Sequence, residues 1–436
     1  WKAVQDGVPE GNRSLRQGIQ KSTILARSIT RDADPSRQRQ PARFWECILL
    51  RDSVSPCRMP KPMRVSIVHD YLVQGIRGAE RCLLDMHACF PDAPIFTLLY
   101  DPERMGPPWR DLDVRTSWLQ CLPGALRLYQ RLYLLMPLAV ESLRVGPCDV
   151  VLSSSSAWAK NLRPPAGALH ICYCYTPARF LWHWRQEYVR SLRLSAPLRL
   201  LVRASLPVLQ SWDWRGSGRV HAFLAISRTV QERIERYYCR KSEVVYPPVD
   251  TDRFVPDGAG PDDYLLVVST LNPYKRVDLA IEACNRLGVP LKVVGDGPEF
   301  ERLAARAGPT VEMLGKVSED RLAGLYACCR GFLMPQEEDF GIASVEAQAT
   351  GRPVVAYGAG GALETVVDGR TGLFFYEQTA DALVDTLRRF DSTSFSVEAC
   401  RENALRFSRE RFQGELRETV VRLWRRWEKG ERGPLI

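Results

Sequence analysis

The sequence predicts an α/β protein with two domains, each built on a parallel sheet that is covered by helices. Strand-like apolar runs alternate with helical stretches along most of the chain, which is the pattern of such sheets. The length of 436 residues favours two domains over one continuous core. A break at Pro247 and Pro248 divides the alternating runs into two series. Two domains of this kind leave a cleft between them.

The first series of runs assigns residues 63–240 to one domain. Its first strand is RVSIVHDY, which is followed by the glycine-bearing loop VQGIRGAE and a helix predicted from about Glu80 to Cys89. Further strands are predicted at PIFTLLY, DVVLSSS, LHICYCY and AFLAIS. The second series assigns residues 247–405 to a second domain, with strands at YLLVVST, PLKVVGDG, VEMLG, GFLMP, PVVAY and GLFF. A helical pattern over 403–429 predicts that the tail, 406–436, forms a helix that packs back on the first domain.

Positive charge is concentrated in a leader, residues 1–62. This leader has 12 Lys and Arg against 6 Asp and Glu, whereas the net charge of the whole chain is +9. The remaining chain is therefore nearly balanced, which argues against a nucleic-acid partner. The leader is rich in Arg, Gln, Ser and Pro, so we expect it to be disordered or poorly packed and dispensable for activity. A basic arm that touches acidic lipid is the alternative.

Neither a membrane span nor a metal site is predicted. The longest apolar run, LYLLMPLAV, is much shorter than the roughly 20 residues of a spanning helix. Thirteen scattered cysteines suit reduced thiols, and the expected compartment is the cytoplasm. The chain has five histidines and no CxxC pair, and Asp250 and Asp252 fall in the interdomain crossing, where turn and cap roles are expected.

The segment 331–375 carries the strongest functional pattern. Its first strand is predicted to end near Pro335, and a helix is predicted to begin near Ile342. Glu338 then lies at the carboxyl end of a strand, where open α/β sheets bind ligands, and Glu346 lies about one turn into the helix. The helix start offers unpaired N–H groups to phosphate oxygens, and Gly341 permits close approach. The alternative is that both carboxylates belong to a solvated loop and helix face.

This segment resembles the signature of retaining glycosyltransferases of family 4. The match consists of Glu338, seven intervening residues, Glu346, and the blocks GAGGALE and TGLFF. The resemblance extends over 63–425 and implies a GT-B fold, in which two Rossmann-like domains face each other across a cleft. It also implies that Glu338 contacts the transferred sugar and Glu346 the ribose, with Phe340, Gly341 and Ile342 beside the nucleotide-sugar donor.

The same resemblance adds further residues and shows three departures. Lys275 in PYKRVDLAIEA matches the lysine that binds the donor diphosphate, and Gly78 matches a glycine that lets backbone amides approach it. Thr270 stands where the family commonly has an arginine, and the neighbouring Arg276 is the candidate substitute. Tyr175 stands where relatives have a histidine close to the sugar. The third departure is Asn161, in place of an expected glycine. The predicted catalytic set is Glu338, Lys275 and Tyr175.

Within this family, the motifs look closest to bacterial mannosyltransferases of O-antigen and exopolysaccharide assembly. That resemblance implies a retaining, metal-independent transfer of mannose from GDP-mannose, with no cofactor beyond this substrate. The implied acceptor is a lipid-linked glycan or a polysaccharide at the inner face of the plasma membrane. Two alternatives stay open, namely a weakly active or non-catalytic relative that binds nucleotide sugar or acts as a partner subunit, and a nucleotide-sugar epimerase.

A basic, aromatic stretch between Ala178 and Trp212 is a candidate membrane contact. Interleaved aromatic and cationic residues are typical of a face that binds an anionic membrane surface or an anionic lipid-linked acceptor. A pair of amphipathic helices packed on the first sheet is the equal alternative. The residues concerned are Phe180, Trp182, Trp184, Tyr188, Arg179, Arg185, Arg190, Arg193, Arg199 and Arg203.

Overall fold

The computed structural model describes residues 63–185, 189, 195–258 and 260–436. The predicted leader lies outside these residues, as do Tyr188, Arg190 and Arg193 of the basic, aromatic stretch. Over the described ranges, no helix combines the length and the apolar character that a membrane crossing requires.

The first domain is built on a parallel sheet of seven strands within the described residues. The strand order is β3-β2-β1-β4-β5-β6-β7. Every residue of β1, β4 and β5 is buried, as expected for central strands that are covered on both faces. The strands are β1 Val65–His69, β2 Ile95–Thr97, β3 Val114–Thr116, β4 Val150–Ser155, β5 Leu169–Cys174, β6 Ala222–Ala225 and β7 Glu243–Val244.

The helices of the first domain lie between these strands. The first begins at Gly78, where the backbone N–H of Arg77 donates a 3.0 Å hydrogen bond to the Glu80 side chain and so satisfies a helix-start donor. The helices are α1 Gly78–Cys89, α2 Pro102–Met105, α3 Ala125–Leu128, α4 Met136–Glu141, α5 Ala196–Ser217 and α6 Arg228–Tyr238.

The second domain repeats this architecture on a parallel sheet that has six strands in the part of the chain that the structure describes. Its strand order is β10-β9-β8-β11-β12-β13. The strands are β8 Leu265–Val268, β9 Leu291–Val294, β10 Val311–Gly315, β11 Gly331–Met334, β12 Val354–Tyr357 and β13 Gly372–Phe375. The helices are α7 Val277–Leu287, α8 Phe300–Ala304, α9 Glu319–Cys328, α10 Ile342–Ala349, α11 Ala362–Thr365, α12 Ala380–Asp391, α13 Val397–Leu405 and α14 Arg409–Glu428.

The helical pattern over 403–429 is divided in the structure: residues 403–405 belong to α13, and the tail, 406–436, contains α14. Helix α13 ends at Leu405, and the Ser408 side chain accepts a 3.3 Å hydrogen bond from the Arg411 N–H to begin α14. Helix α14 lies on the first domain, where Arg417 donates a 2.7 Å hydrogen bond to the carbonyl of Cys89. Hydrophobic periodicity alone predicts one continuous helix here, but the Ser408 side chain caps the start of α14 and so separates it from α13.

Two parallel sheets covered by helices confirm the predicted α/β class. Two described strands have no counterpart among the strands predicted above, and they lie at the two edges of the first sheet. Strand β3 has three residues and exposes Arg115, and β7 has two residues and lies beyond the predicted domain end at 240. A short edge strand lacks the apolar run that marks a central parallel strand.

Candidate active site

A cavity of about 560 Å³ lies between the two domains, and we call it the central cavity. It opens at the carboxyl ends of the strands, since Tyr175 follows β5 and Glu338 lies beyond β11. Both domains contribute side chains, as expected for a ligand that binds between them. The predicted site residues that line it are Gly78, Tyr175, Thr270, Lys275, Glu338, Phe340, Gly341 and Ile342.

Glu338 is held by two donors in the central cavity. The Lys275 ammonium contacts Oε1 of Glu338, and the Gln336 side chain donates a 2.8 Å hydrogen bond to the same oxygen. Burial alone would raise the pKa of Glu338, but the charges of Lys275 and Arg179 outweigh it and hold that pKa below its usual range. The carboxylate is therefore ionised and fixed in position.

Gly341 precedes helix α10 in a conformation that favours glycine. Its φ is 96°, and a Cβ atom would lie 3.2 Å from the Met334 sulfur and 3.2 Å from the Ser344 hydroxyl. Any side chain at this position would therefore be strained and crowded. The helix start stays open for a ligand that carries negative charge, because its first N–H groups have no partners within the helix.

Glu346 lines a second cavity of about 490 Å³, which we call the side cavity. The Tyr326 hydroxyl donates a 2.9 Å hydrogen bond to Oε2 of Glu346, and Arg81 of the first domain lies 3.4 Å from Oε1. Burial outweighs these partners and raises the pKa of Glu346. Gly78 and Ile342 line both cavities, so the two spaces meet at these residues.

Gly78 brings the two domains into close contact. A Cβ atom at this position would lie 2.8 Å from Cδ1 of Ile342 in the other domain. The absence of a side chain therefore allows the start of α1 to approach the start of α10. Phe340 lines the central cavity, but only 2% of it is exposed, and its ring packs 5.2 Å from that of Phe407.

The Tyr175 hydroxyl is engaged within the first domain. It donates a 3.1 Å hydrogen bond to the carbonyl of Ala79 and lies 2.9 Å from the hydroxyl of Ser154. Burial raises the pKa of Tyr175 far above its usual range, so the hydroxyl is neutral. Its direct contact with a sugar stays a prediction.

The two candidate diphosphate residues next to Lys275 differ in position. Thr270 lines the central cavity and accepts a 3.4 Å hydrogen bond from Asn272. Arg276 does not line it, because its guanidinium donates to Asp278 at 3.4 Å and to Gln378 at 3.1 Å. The structure therefore does not bring Arg276 to the other predicted residues.

Asn161, the third departure, is buried in a polar network of the first domain. Its side chain donates a 3.0 Å hydrogen bond to Asp213 and accepts one of 3.0 Å from Lys160. The Asn161 amide therefore links the turn that follows β4 to helix α5.

Charged residues that sequence analysis did not assign to the site surround Glu338. Arg179 and Asp339 line the central cavity and form an ion pair across the domains, and Arg233 of α6 also contacts Asp339. Arg179 follows strand β5 by only a few residues. This position near the carboxyl end of a strand is the sequence feature that could have indicated a place in the site. The pairing itself depends on tertiary contact.

Asp70 organises the loop that follows β4. Its carboxylate accepts four backbone hydrogen bonds of 2.7–2.9 Å, from Ser156, Ala157, Trp158 and Ala159. Residues 156–158 line the central cavity, so this carboxylate shapes one wall. Asp70 directly follows the first strand, so its position at the end of a strand is again the sequence feature that could have indicated a role near the site.

Comparison with known proteins gives a family match in the second domain. Residues 249–407 match the model of glycosyl transferases group 1. A GDP-mannose-dependent alpha-(1-6)-phosphatidylinositol monomannoside mannosyltransferase of Mycolicibacterium smegmatis is 36% identical over 166 residues, which cover 31% of this chain and 44% of that protein. A D-inositol 3-phosphate glycosyltransferase of Mycobacteroides abscessus is 34% identical over 174 residues, covering 34% of this chain and 39% of that protein. The match thus spans less than half the length of these curated relatives.

A solved structure shares the architecture of both domains. HepE of Anabaena, crystallised with UDP and glucose, superposes with a TM-score of 0.61 at 18% identity and covers 83% of this chain and 100% of that one. At such identity the likeness establishes the fold. The chain therefore has the two-domain GT-B fold, and its second domain matches the glycosyl transferases group 1 family.

Proposed function

We propose that this protein is a retaining glycosyltransferase that takes a hexose from a nucleotide-sugar donor. The observation that carries the proposal is the arrangement of Lys275, Glu338 and the open start of α10 around one cavity, with Glu346 in the adjoining one. In this arrangement, Lys275 and the α10 amides hold the diphosphate, while Glu338 binds the sugar hydroxyls. Glu346 accepts hydrogen bonds from the ribose.

The transfer step needs positioning and charge stabilisation more than a protein nucleophile. The bond between C1 of the sugar and the diphosphate oxygen breaks, and its electron pair stays on the diphosphate. The acceptor hydroxyl forms the new bond to C1 from the same face, and its proton passes to the departing diphosphate. Cations beside that diphosphate stabilise the charge that develops on it.

GDP-mannose is the donor we favour. Its support is the resemblance of the PYKRVDLAIEA and YPPVDTDRF blocks to mannosyltransferases, together with the curated relative that is named as GDP-mannose-dependent. UDP-glucose is the principal competitor, since the solved structural neighbour was crystallised with UDP and glucose.

We further propose that the acceptor is a lipid-linked glycan and that the enzyme works at the inner face of the plasma membrane. The support is helix α5, whose buried face carries Val202, Leu206 and Leu209. Its opposite face exposes 68% of Leu200 and 71% of Val208, next to the exposed Arg199 and Arg203. Exposed apolar side chains beside arginines suit an anionic bilayer surface. Sedimentation with vesicles containing phosphatidylglycerol at low salt tests this; no binding would contradict it.

Donor hydrolysis and transfer assays test the activity. Purified protein is incubated with GDP-mannose, UDP-glucose or UDP-N-acetylglucosamine, and release of nucleoside diphosphate is measured. We expect GDP-mannose to be hydrolysed fastest and Glu338→Gln to lower the rate by about 10²-fold or more, as loss of one preorganised electrostatic contact does. Activity that is equal in the variant would contradict the proposal.

A nucleotide-sugar-binding protein without transferase activity is the second candidate. Two observations favour it. Thr270 places a hydroxyl where a cation would bind the diphosphate, and the Tyr175 hydroxyl donates its hydrogen bond to the carbonyl of Ala79. This candidate predicts micromolar binding of GDP or UDP with no turnover of any of the three donors.

A further inference from the structure

The central cavity contains two cations that come from opposite domains. Among the described residues that line it, the cationic side chains are Lys275 of the second domain and Arg179 of the first. Both lie beside one aromatic ring: the Lys275 Nζ atom is 5.2 Å and the Arg179 Cζ atom 5.6 Å from the centroid of Tyr274. Their common contact with this ring places the two positive charges in the same part of the cavity.

Lys275 alone is a weak counter-charge for a diphosphate. Its ammonium already contacts the Glu338 carboxylate, so part of its charge is neutralised before any ligand binds. Thr270 contributes no charge, and the Arg276 guanidinium is bonded to Asp278 and Gln378 outside the cavity. A second cation would offset the charge of the second phosphate, and Arg179 is the remaining one among the described residues that line the central cavity.

Arg179 can turn away from its present partner without leaving that partner unpaired. Its partner Asp339 is also paired with Arg233, so the carboxylate keeps a cation when Arg179 turns away. Without Arg233, that movement would leave a buried unpaired charge, which is strongly unfavourable. The Arg179 side chain is 28% exposed and that of Arg233 13%, which makes Arg179 the more accessible of the two.

We propose that Arg179 is the second diphosphate-binding cation of this site, which exchanges Asp339 for the donor diphosphate while Arg233 retains Asp339. The proposal rests on the nucleotide-sugar transferase function proposed above and adds a residue to it. A guanidinium can hold two phosphate oxygens at once, which an ammonium cannot do in the same geometry. Because Arg179 and Lys275 belong to different domains, the diphosphate becomes a bridge that holds the cleft closed around the reacting sugar.

Binding of nucleoside diphosphates and monophosphates to the full chain tests the proposal. GDP, GMP, UDP and UMP are titrated by calorimetry into wild type, Arg179→Gln, Arg179→Lys and Asp339→Asn. We expect Arg179→Gln to lower the affinity for the preferred nucleoside diphosphate by about 10- to 100-fold, as loss of a hydrogen bond to a charged group does. The affinity for the corresponding monophosphate should fall by less than about threefold. Arg179→Lys should recover part of the lost affinity, because lysine restores the positive charge but cannot bind two phosphate oxygens as the planar guanidinium does.

Asp339→Asn separates a phosphate role from a merely structural one. This variant breaks the ion pair that Arg179→Gln breaks, together with the Arg233–Asp339 pair, but it leaves the Arg179 guanidinium free, so diphosphate affinity should be unchanged or higher. If the pair serves only to hold the domains together, both variants lose affinity alike, and that result overturns the proposal. Equal losses for diphosphate and monophosphate in Arg179→Gln overturn it as well. Absence of any nucleotide binding to wild type would instead refute the proposed function, so the two failures are distinguishable.

Discussion

The backbone N–H of Gly361 donates a 2.8 Å hydrogen bond to the carbonyl oxygen of Glu338. This contact gives the glycine-rich block its physical role. The chain that contains Gly360 and Gly361 lies directly on the backbone of the Glu338 segment, so that Glu338 and Gly360 form a β-bridge. The side chain of Glu338 is thus aimed into the central cavity by its own backbone contacts as well as by Lys275.

Replacing Gly361 with alanine should damage both stability and activity. A Cβ atom at this position would lie 2.3 Å from the Phe340 Cα atom and 2.5 Å from its carbonyl oxygen, so backbone has to move. We expect the free energy of unfolding to fall by about 1–3 kcal/mol, as for overpacked sites, and donor turnover to fall with it. Urea unfolding and donor hydrolysis measure the two effects. Gly414→Ala in α14, where no atom lies within 4 Å of the added Cβ, is the matched control and should be neutral or slightly stabilising.

Much of the fold was predictable because buried parallel strands are continuous apolar runs. Strand β1, VSIVH, is buried at all five residues, and the alternation of such runs with helical stretches is sufficient to indicate the sheet. The pattern around Glu338, Gly341 and Glu346 was also visible, because these residues lie close together in the chain. The central cavity and the side cavity that they line are connected through Ile342.

The ion pairs around Glu338 could not be predicted in the same way. Arg179 and Asp339 are 160 residues apart in sequence, and Arg233 and Asp339 are 106 apart. Such pairs depend on how the domains dock, which local periodicity does not encode. The same limit explains Arg276: its position next to Lys275 suggested a shared ligand, whereas its side chain bonds to Asp278 and Gln378.

Glu346→Gln should stabilise the protein at neutral pH while weakening nucleotide binding. The pKa of Glu346 is raised in the folded state, so the fold favours the protonated form, and that contribution is lost as the pH rises through the folded pKa. Glutamine mimics the protonated side chain and keeps the contribution at pH 7.5, although it is a poorer acceptor for ribose hydroxyls. Thermal unfolding checks the expected gain in stability, and GDP titration checks the expected loss of affinity. Reduced stability together with undiminished GDP affinity would contradict this assignment.

Asp70→Asn should disorganise the loop that follows β4. The carboxylate accepts backbone N–H groups with both oxygens, two on each, whereas asparagine has a single acceptor oxygen and turns an NH₂ group toward two donors. Two N–H groups then lose their partner, at about 1–3 kcal/mol for each that is buried. Urea unfolding should show this loss, and donor turnover should fall because residues 156–158 line the central cavity. Arg115→Gln, at the exposed sheet edge, is the control and should change neither.

His170 should make the protein less stable at mildly acidic pH. It lies in β5 with no exposed surface, and its ring nitrogens are 2.9 Å from the Ser153 hydroxyl and 3.3 Å from the Arg219 carbonyl oxygen. Burial lowers the pKa of His170 from 6.5 to about 3, and the neighbouring His221 adds to the effect. Between these values the unfolded chain binds a proton that the folded chain does not, so stability falls as the pH falls.

The expected contribution of His170 is a loss of about 2 kcal/mol between pH 7.5 and pH 5. Urea unfolding of wild type and His170→Gln at both pH values measures it. The variant is expected to be less stable at pH 7.5 because its packing changes, but its own loss between the two pH values should be smaller than that of wild type by roughly this amount. Carboxylates elsewhere contribute equally to both proteins, so the difference between the slopes isolates His170. Parallel pH profiles would show that the imidazole reaches water and is protonated without unfolding.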